Sequence, residues 1–417
     1  MSTTTSEPPR EAFVWVWLPG ATVPVVAGRL EVAGDLVDFL YGRSYLSRSE
    51  AIPLFDPELP LRPGRIPPPP GMPIAGCIAD AGPDAWGQRV IMNRVLGAAG
   101  RDTDPADLSR LTYLLESGSD RTGALDFQGS ADEYVPREDG VADLEYLLDA
   151  ATKVEEGVAL TPALQQVLFA GSSIGGARPK AALRQDGRSL IAKFSARDDP
   201  YPVVKGEFVA MTMARRAGLA VAETKLESVL GRDVLLVERF DRLGNGERRA
   251  VVSALTLLGL DEMLARYASY VDLADLMLER FADALPDLRE LFSRMTFNVL
   301  VGNTGDHARN HAAFWDGRQL ELTPAYDICP QLRSGGEASQ AMALRRDGFR
   351  LSQLAACVEA APSFRLQETE AREIVDHQIE SIESNWDDVC ELAELTPIDR
   401  DYFWKRQILN PYALEGY

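Results

Sequence analysis

The segment from Leu300 to Ile328, LVGNTGDHARNHAAFWDGRQLELTPAYDI, holds the residues whose types and spacing point most directly to chemistry. An Asn-rich polar turn directly follows an apolar helical pattern, and Asp327 comes after a short strand pattern. Phosphoryl transfer uses such a layout, because one loop places a base and a metal-binding Asn while a second acidic residue holds Mg²⁺ over the phosphates. Asn310 and Asp327 are therefore candidate Mg²⁺ ligands, since Mg²⁺ takes oxygen ligands. A buried Asp that caps a turn is the alternative for Asp327.

The position of the base departs from this layout. Kinase catalytic loops place the catalytic Asp five residues before the metal-binding Asn. Counting back from Asn310 gives Gly305, and the Asp stands one residue later, at Asp306. Glycine has no side chain that accepts a proton, so the sequence predicts a defective or displaced base.

Lys193 and Glu207 are candidates for holding a nucleotide. Lys193 lies in the apolar strand pattern LIAKF, and Glu207 opens the next predicted helix. Kinases place the lysine that contacts the α- and β-phosphates on such a strand and pair it with a helix Glu. The alternative is an edge-strand lysine whose tip lies in water.

The Gly- and Ser-rich segment from Gly171 to Lys180 is a candidate phosphate-binding loop. Glycines let backbone N–H groups approach phosphates, and Lys180 adds positive charge. The candidate contacts are Gly175, Gly176, Ala177 and Lys180. The segment matches neither the Walker pattern nor the G-x-G-x-x-G of ordinary kinases, and a flexible surface loop is the alternative.

His307 and His311 are four residues apart and could suggest a zinc pair. The H-E-x-x-H signature requires a Glu after the first His, and Ala308 stands there instead. The segment also follows the predicted helix and has the composition of a loop, so we reject a zinc site.

Hydrophobic spacing predicts the elements that position these residues. A helix that delivers the loop Gly302–Asn310 is predicted from five apolar residues that share one helical face: Leu288, Leu291, Phe292, Met295 and Val299. From about Gly171 the pattern is β-β-α-β-β, which is the order of a kinase small lobe, and after Ala250 the chain is mostly helical.

Taken in order, several motifs resemble the HipA family of bacterial toxin serine/threonine kinases. They are FAGSSIGGARPKAAL, LIAKF, KGEF, VLLVERFDR and the catalytic-loop segment. DAGPDAWGQR (80–89) and LLESGSDRTGAL (114–125) extend the resemblance towards the N-terminus, so that it covers nearly the whole chain from about Trp15.

The resemblance implies an ATP site between two lobes. The backbone at Glu238 and Phe240 would bond adenine, and Asp241 would lie near the ribose. In the family the Gly-rich loop carries an autophosphorylated serine, which matches Ser173, or Ser172 if the alignment is shifted by one residue.

The family's catalytic loop has the pattern N-x-D-x-H-x-x-N. Asn303, His307 and Asn310 match it, and Gly305 replaces the base. Three interpretations follow, in order of preference: this copy carries an inactivating change, it is a natural pseudokinase, or Asp306 serves as a displaced base.

The fold implied is α+β, with a protein-kinase-like two-lobed core, a small N-terminal β-containing domain and a helical C-terminal lobe. The domain prediction is a disordered tail at 1–12, an N-terminal HipA subdomain at 13–140, a kinase-like small lobe with the Gly-rich loop at 141–245, and a helical large lobe with the catalytic loop at 246–417.

Family members of this kind phosphorylate translation factors such as aminoacyl-tRNA synthetases and are neutralised by a small HipB-type DNA-binding antitoxin. The runner-up is a catalytically silent nucleotide-binding protein that sequesters a partner or co-represses DNA with the antitoxin. A net charge of −20 argues against direct DNA binding and suits a basic partner.

Composition predicts a cytoplasmic, reduced protein. No run of about 18 apolar residues suggests a membrane span, and the N-terminus lacks the basic and apolar regions of a secretory signal. The four cysteines are far apart in the sequence and form no C-x-x-C pair, which predicts buried thiols.

Overall fold

The computed structural model describes residues 7–97, 103–137, 144–156, 158, 161, 164, 178–196, 199–333 and 335–417. The chain divides into two compact units. Unit 1 comprises Met1–Ala196, Asp241–Val252 and Trp315–Arg318, and unit 2 comprises Arg197–Phe240, Ser253–Phe314 and Gln319–Tyr417. The four-part division drawn from the sequence stays a prediction.

Unit 1 contains an antiparallel five-stranded sheet in the order β4-β3-β2-β1-β5. Its strands are β1 Glu11–Val16, β2 Val25–Ala33, β3 Leu36–Tyr41, β4 Arg65–Ile66 and β5 Leu125–Gln128. Aromatic and β-branched residues are frequent in these strands, as expected for a sheet with a buried face.

Among its described residues, unit 1 also contains five α-helices and one hairpin. The helices are α1 Arg43–Leu46, α2 Gly76–Ala79, α3 Ala85–Leu96, α4 Arg110–Glu116 and α5 Leu144–Glu155. The hairpin pairs β6, Lys180–Gln185, with β7, Arg188–Phe194, antiparallel. Asp84 caps α3, because its side chain accepts a hydrogen bond from Gly87 N.

Unit 2 begins with helix α6, Val203–Arg216, followed by an antiparallel hairpin of β8, Thr224–Val229, and β9, Arg232–Glu238. After α6 the chain reverses at Gly218, which has a φ of 87° and so adopts a conformation that favours glycine. From Lys180 to Glu238 the elements follow the order β6-β7-α6-β8-β9, so the predicted order β-β-α-β-β is confirmed.

The rest of unit 2 is mainly helical. Its helices are α7 Ala254–Leu257, α8 Tyr270–Arg280, α9 Ala284–Leu300, α10 Leu354–Ala360, α11 Glu368–Leu392 and α12 Pro397–Phe403. Three short strands occur between Ala250 and Leu322: β10 Ala250–Ser253, β11 Ala312–Trp315 and β12 Leu320–Leu322. Ala250–Val252 and Trp315 belong to unit 1. The predicted apolar face of α9 is confirmed, since all five of its predicted residues are buried.

The four cysteines are free and buried, as predicted. Across the described part of the chain, no helix combines the length and apolar character needed to cross a membrane.

Candidate active site

The loop that carries the candidate catalytic residues begins where α9 ends. Gly302 has a φ of 68°, and an added Cβ would lie 2.6 Å from the backbone oxygen of Gln407. A side chain is excluded there both by the left-handed backbone and by the close approach of another segment. The backbone N–H of Asn303 then donates to Asn298 O at 2.9 Å, which fixes the direction in which the loop leaves the helix.

Asn310 and Asp327, the predicted metal ligands, lie side by side. Asn310 Nδ2 donates to Asp327 Oδ2 at 2.8 Å, although 17 residues separate them. Asp327 has a φ of 61°, and the adjacent Tyr326 donates its hydroxyl to Arg309 O at 2.7 Å. The two segments are thus joined both by Asn310 and Asp327 and by the residues beside them.

The oxygen of the Asn310 amide fits a role as a ligand. Asn310 is 6% exposed, and its Oδ1 atom is buried with no hydrogen-bond partner among the described residues. A buried polar atom without a partner is costly, and such atoms mark places where an ion or water completes the site. An unpaired amide oxygen beside a carboxylate supplies the oxygen donors that Mg²⁺ prefers.

Asp306 does not face the position where a base is needed. Gly305 and His307 are exposed, whereas Asp306 is 3% exposed, so the side chains alternate along the loop. Asp306 Oδ2 accepts hydrogen bonds from the hydroxyl of Tyr270 and from His311 Nε2, the latter at 2.7 Å. Its carboxylate is therefore committed to the interior of unit 2.

The contacts of Asp306 belong to a longer buried network. Asn298 Nδ2 donates to the Tyr270 hydroxyl at 3.2 Å, and Asn303 Nδ2 donates to Asn298 Oδ1 at 3.0 Å. Burial, with the neighbouring Asp306 carboxylate, raises the pKa of Tyr270 well above its ordinary value, so this hydroxyl stays a donor. The network ties α8 and α9 to the loop.

Sequence reasoning missed Tyr270 and Asn298, and it considered His311 only as a zinc candidate. None of them lies in a local motif that marks its role. No cluster of three or more His, Cys, Asp or Glu residues suited to a metal ion occurs within the described ranges.

The vacant base position is open to a side chain. Gly305 does not have a positive φ, and an added Cβ would meet only ordinary van der Waals contacts. Its three nearest neighbours would be atoms of the Gln331 side chain, at 3.5 to 3.7 Å. The loop backbone therefore tolerates an Asp at this position as well as the glycine that is present.

The two predicted lysines are cross-strand neighbours in the β6–β7 hairpin. Lys180 pairs with Lys193 in the register, and Lys180 is buried with its Nζ atom 3.8 Å from Asp84 Oδ2. Lys180 was predicted as the end of the Gly-rich loop and is the first residue of β6 instead. Like charges directly opposite each other in a sheet repel, and this is unfavourable unless an anion compensates them. The Asp84 carboxylate lies close enough to Lys180 to contribute to that compensation.

Glu207 lies in unit 2, whereas Lys193 lies in unit 1. The sequence placed Glu207 at the start of a helix, but α6 begins at Val203, so Glu207 is inside the first turns and buried. The reason is that Val203 and Val204 are themselves buried and extend the apolar face by one turn.

The predicted hinge residues follow β9. The backbone N–H of Glu238 donates to Glu223 O at 2.8 Å, and the ring of Phe240 packs against Phe314 and Tyr326 with centroid distances of 5.7 and 5.6 Å. Phe240 thus contacts the residue next to Asp327. The adenine contacts themselves stay a prediction.

Asp241 is buried and already bonded. Its Oδ2 atom accepts from Gly123 N at 2.7 Å and from Arg242 Nη1 at 2.9 Å, both within unit 1. This arrangement gives Asp241 a role in fixing the segment around Gly123, and its contact with a ribose stays a prediction. Ser172, Ser173, Gly175, Gly176 and Ala177 lie outside the described residues.

Comparison with known proteins places the chain in a family. The model of the HipA-like C-terminal domain matches residues 172–386, which is more than half of the chain. The fold is similar to that of HipA from Shewanella oneidensis, solved with HipB and its operator DNA, with a TM-score of 0.67, 18% identity and coverage of 96% of both chains. The chain therefore belongs to the HipA family and has the HipA fold.

Curated relatives match over shorter stretches. A putative kinase, Y4mE, of Sinorhizobium fredii is 28% identical over 134 residues, which is 30% of this chain and 31% of that protein. The serine/threonine-protein kinase toxin HipA of Shewanella oneidensis is 25% identical over 186 residues, 37% of this chain and 42% of that protein. The matches thus span less than half the length of these two relatives.

Proposed function

We propose that the chain is a HipA-like serine/threonine kinase that uses ATP and Mg²⁺ and acts as the toxin of a type II toxin–antitoxin system. The observation that carries the proposal is the Asn310–Asp327 pair, whose buried amide oxygen has no partner among the described residues. Asn310 lies on a loop that matches the family's catalytic pattern at three of its four fixed positions, and Asp327 follows β12. Family membership supports the same class of reaction.

Each candidate site residue has a separate role in this proposal. Asn310 and Asp327 would hold Mg²⁺, which when bound neutralises charge on the phosphate oxygens. The backbone around Glu238 and Phe240 binds adenine in this proposal, while His307 lies exposed on the catalytic loop. Lys193 and Lys180 remain candidates for contacting the phosphates, and Glu207 remains the candidate for the acidic residue that pairs with Lys193 in the kinase layout. Each can be tested by substitution.

Gly305 sets the expected rate. It is exposed and has no side chain, while the adjacent Asp306 carboxylate is engaged by Tyr270 and His311. The chain as it stands therefore transfers phosphate slowly. The same observation supports the second candidate function, a silent nucleotide-binding protein that sequesters a partner or co-represses DNA with an antitoxin.

The partner in this proposal is a small HipB-type DNA-binding antitoxin in the cytoplasm. The related Shewanella structure contains HipB and operator DNA. A net charge of −20 suits a basic protein partner and makes DNA contact through the antitoxin more favourable than direct contact. The proposed substrate is a translation factor such as an aminoacyl-tRNA synthetase, and Ser173, or Ser172, is the proposed autophosphorylation site.

Calorimetry of Mg·ATP binding tests the core of this proposal. We expect the unmodified chain to bind Mg·ATP, because the positioning groups and the base are separate parts of the site. Saturation at about 100 times Kd should stabilise the fold by about 2.7 kcal/mol and raise Tm. Asp327→Ala and Asn310→Ala should remove the Mg²⁺-dependent part of the affinity.

The matched control is Asp401→Ala, which removes an exposed carboxylate on α12 and should bind Mg·ATP like the parent. Asp306→Ala should affect the Mg²⁺ dependence less than Asp327→Ala does, since its carboxylate faces the interior. If the parent gives neither a heat of binding nor a Tm shift, the kinase proposal fails.

A further inference from the structure

The Gln331 side chain lies against the position that the base vacates. A Cβ built on Gly305 would have Gln331 Cδ at 3.5 Å, Cγ at 3.6 Å and Nε2 at 3.7 Å as its three nearest neighbours. The Gln331 amide is thus within reach of the region that an Asp side chain at position 305 would enter. The two residues are 26 positions apart in the sequence, so this contact is a property of the fold.

Two hydrogen bonds hold Gln331 in place. Its backbone N–H donates to Gly302 O at 3.0 Å, which fixes it to the start of the catalytic loop. Its Nε2 atom donates to Cys329 O at 3.1 Å, which orients the amide plane. No hydrogen bond to its amide oxygen comes from the part of the chain that the structure describes. The amide is therefore held in one orientation beside the vacant base position; Nε2 lies nearer to that position than Oε1 does, and Oε1 is left as an acceptor.

We propose that Gln331 orients the attacking O–H group during phosphoryl transfer in this chain, at the place where Gly305 provides no base. The inference rests on the proposed function and names a catalytic residue for it. The amide oxygen accepts a hydrogen bond from the attacking O–H group. This contact orients the group so that a lone pair on the attacking oxygen points at the γ-phosphorus.

The transfer balances without a protein base. A bond forms between the attacking oxygen and the γ-phosphorus as the bond from that phosphorus to the β–γ bridging oxygen breaks, and ADP leaves with the electron pair. An amide does not take a proton at neutral pH, so the O–H proton passes to a non-bridging oxygen of the transferred phosphoryl group. The loose transition state of phosphoryl transfer makes this route accessible, and a glutamine orients the attacking water in GTPases.

Two substitutions of Gln331 test this inference. Gln331→Ala removes the acceptor, and Gln331→Glu replaces it with a carboxylate that can also accept the proton. The assay uses the full chain in excess over [γ-³²P]ATP with Mg²⁺ and counts phosphate released to water together with phosphate on protein. Counting released phosphate and protein-bound phosphate together includes transfer to water as well as transfer to a protein hydroxyl. Binding of Mg·ATP is measured in parallel.

We expect Gln331→Ala to lower the single-turnover rate by at least about tenfold, since loss of orientation acts on the rate, with Kd for Mg·ATP within about twofold of the parent. Gln331→Glu should raise the rate by at least about tenfold and make it fall below roughly pH 5, where a Glu is protonated. The parent should lack this acid step. Gln319→Glu, which adds the same charge at an exposed position, should match the parent.

The inference is overturned if Gln331→Ala turns over ATP as fast as the parent. It is also overturned if Gln331→Glu is no faster than the parent and lacks the acid step, or if the parent shows no turnover above the protein-free background. These outcomes differ from failure of the proposed function, in which the parent does not bind Mg·ATP at all.

Discussion

Gly305→Asp is expected to turn a slow phosphoryl-transfer protein into a fast one. The substitution restores the five-residue spacing between the catalytic Asp and Asn310 that kinase loops use. The structure admits the new side chain, because Gly305 is exposed, has no positive φ, and would place a Cβ at 3.5 Å or more from its neighbours. The change should therefore alter chemistry with little effect on folding.

The expected effects of Gly305→Asp on reaction rate and on folding free energy differ in size. A positioned general base contributes about 10²–10⁴-fold in rate, which corresponds to about 2.7–5.4 kcal/mol in the barrier. The change in folding free energy should stay within about 0.5 kcal/mol, as for other exposed positions without strain. The affinity for Mg·ATP should stay close to that of the parent, because Asn310 and Asp327 are unchanged.

The assay compares the parent, Gly305→Asp and Gly305→Asn by ATP turnover and by growth after induction without antitoxin. The Asn variant matches Asp in size and lacks its basicity, so it should remain slow and be tolerated. Gly305→Asp should regain both activity and growth arrest.

Robust turnover by the parent would refute our interpretation of Gly305, and so would an inactive Gly305→Asp that still binds Mg·ATP. The competing hypothesis, a displaced base at Asp306, requires an active parent. It also requires the Asp306 carboxylate to leave Tyr270 and His311, with which it is buried.

Two further predictions concern stability. Asp126→Asn should lower the free energy of unfolding at pH 7 by about 3–5 kcal/mol, because it leaves the fully buried Arg121 guanidinium without its carboxylate. Burial raises the pKa of Asp126, but the charges of Arg121 and Arg137 together with hydrogen bonds outweigh burial and hold that pKa below its ordinary value. A carboxyl pKa that is lower in the folded state stabilises the fold above the unfolded-state pKa, and this stabilisation is lost as the pH falls. Urea titrations should therefore show that the difference in unfolding free energy between the parent and Asp126→Asn shrinks below about pH 4. An equal difference at pH 7 and pH 3 would contradict this. Gly302→Ala should destabilise by about 2–5 kcal/mol through backbone strain and its clash with Gln407 O, whereas Gly305→Ala should be near neutral; equal stability of the two variants would refute the stated difference.

Patterns local in the sequence predicted the framework that carries the site. The spacing of Leu288, Met295 and Val299 determined which face of α9 is buried, because a helix repeats its faces every three to four residues. The loop after this helix and the pair Asn310 and Asp327 were identified from residue type and order. These features depend on neighbours a few positions away, and such neighbours are visible in the sequence.

The tertiary structure alone decided which way the side chains of the catalytic loop point. Gly305 and Asp306 are adjacent in the sequence, yet one faces solvent and the other enters a network with Tyr270, which lies 36 residues away. The same holds for Gln331, which reaches the vacant base position through backbone bonding to Gly302. Residue order does not encode these contacts locally, because they depend on the loop's backbone dihedral angles and on segments that meet only when unit 2 has folded.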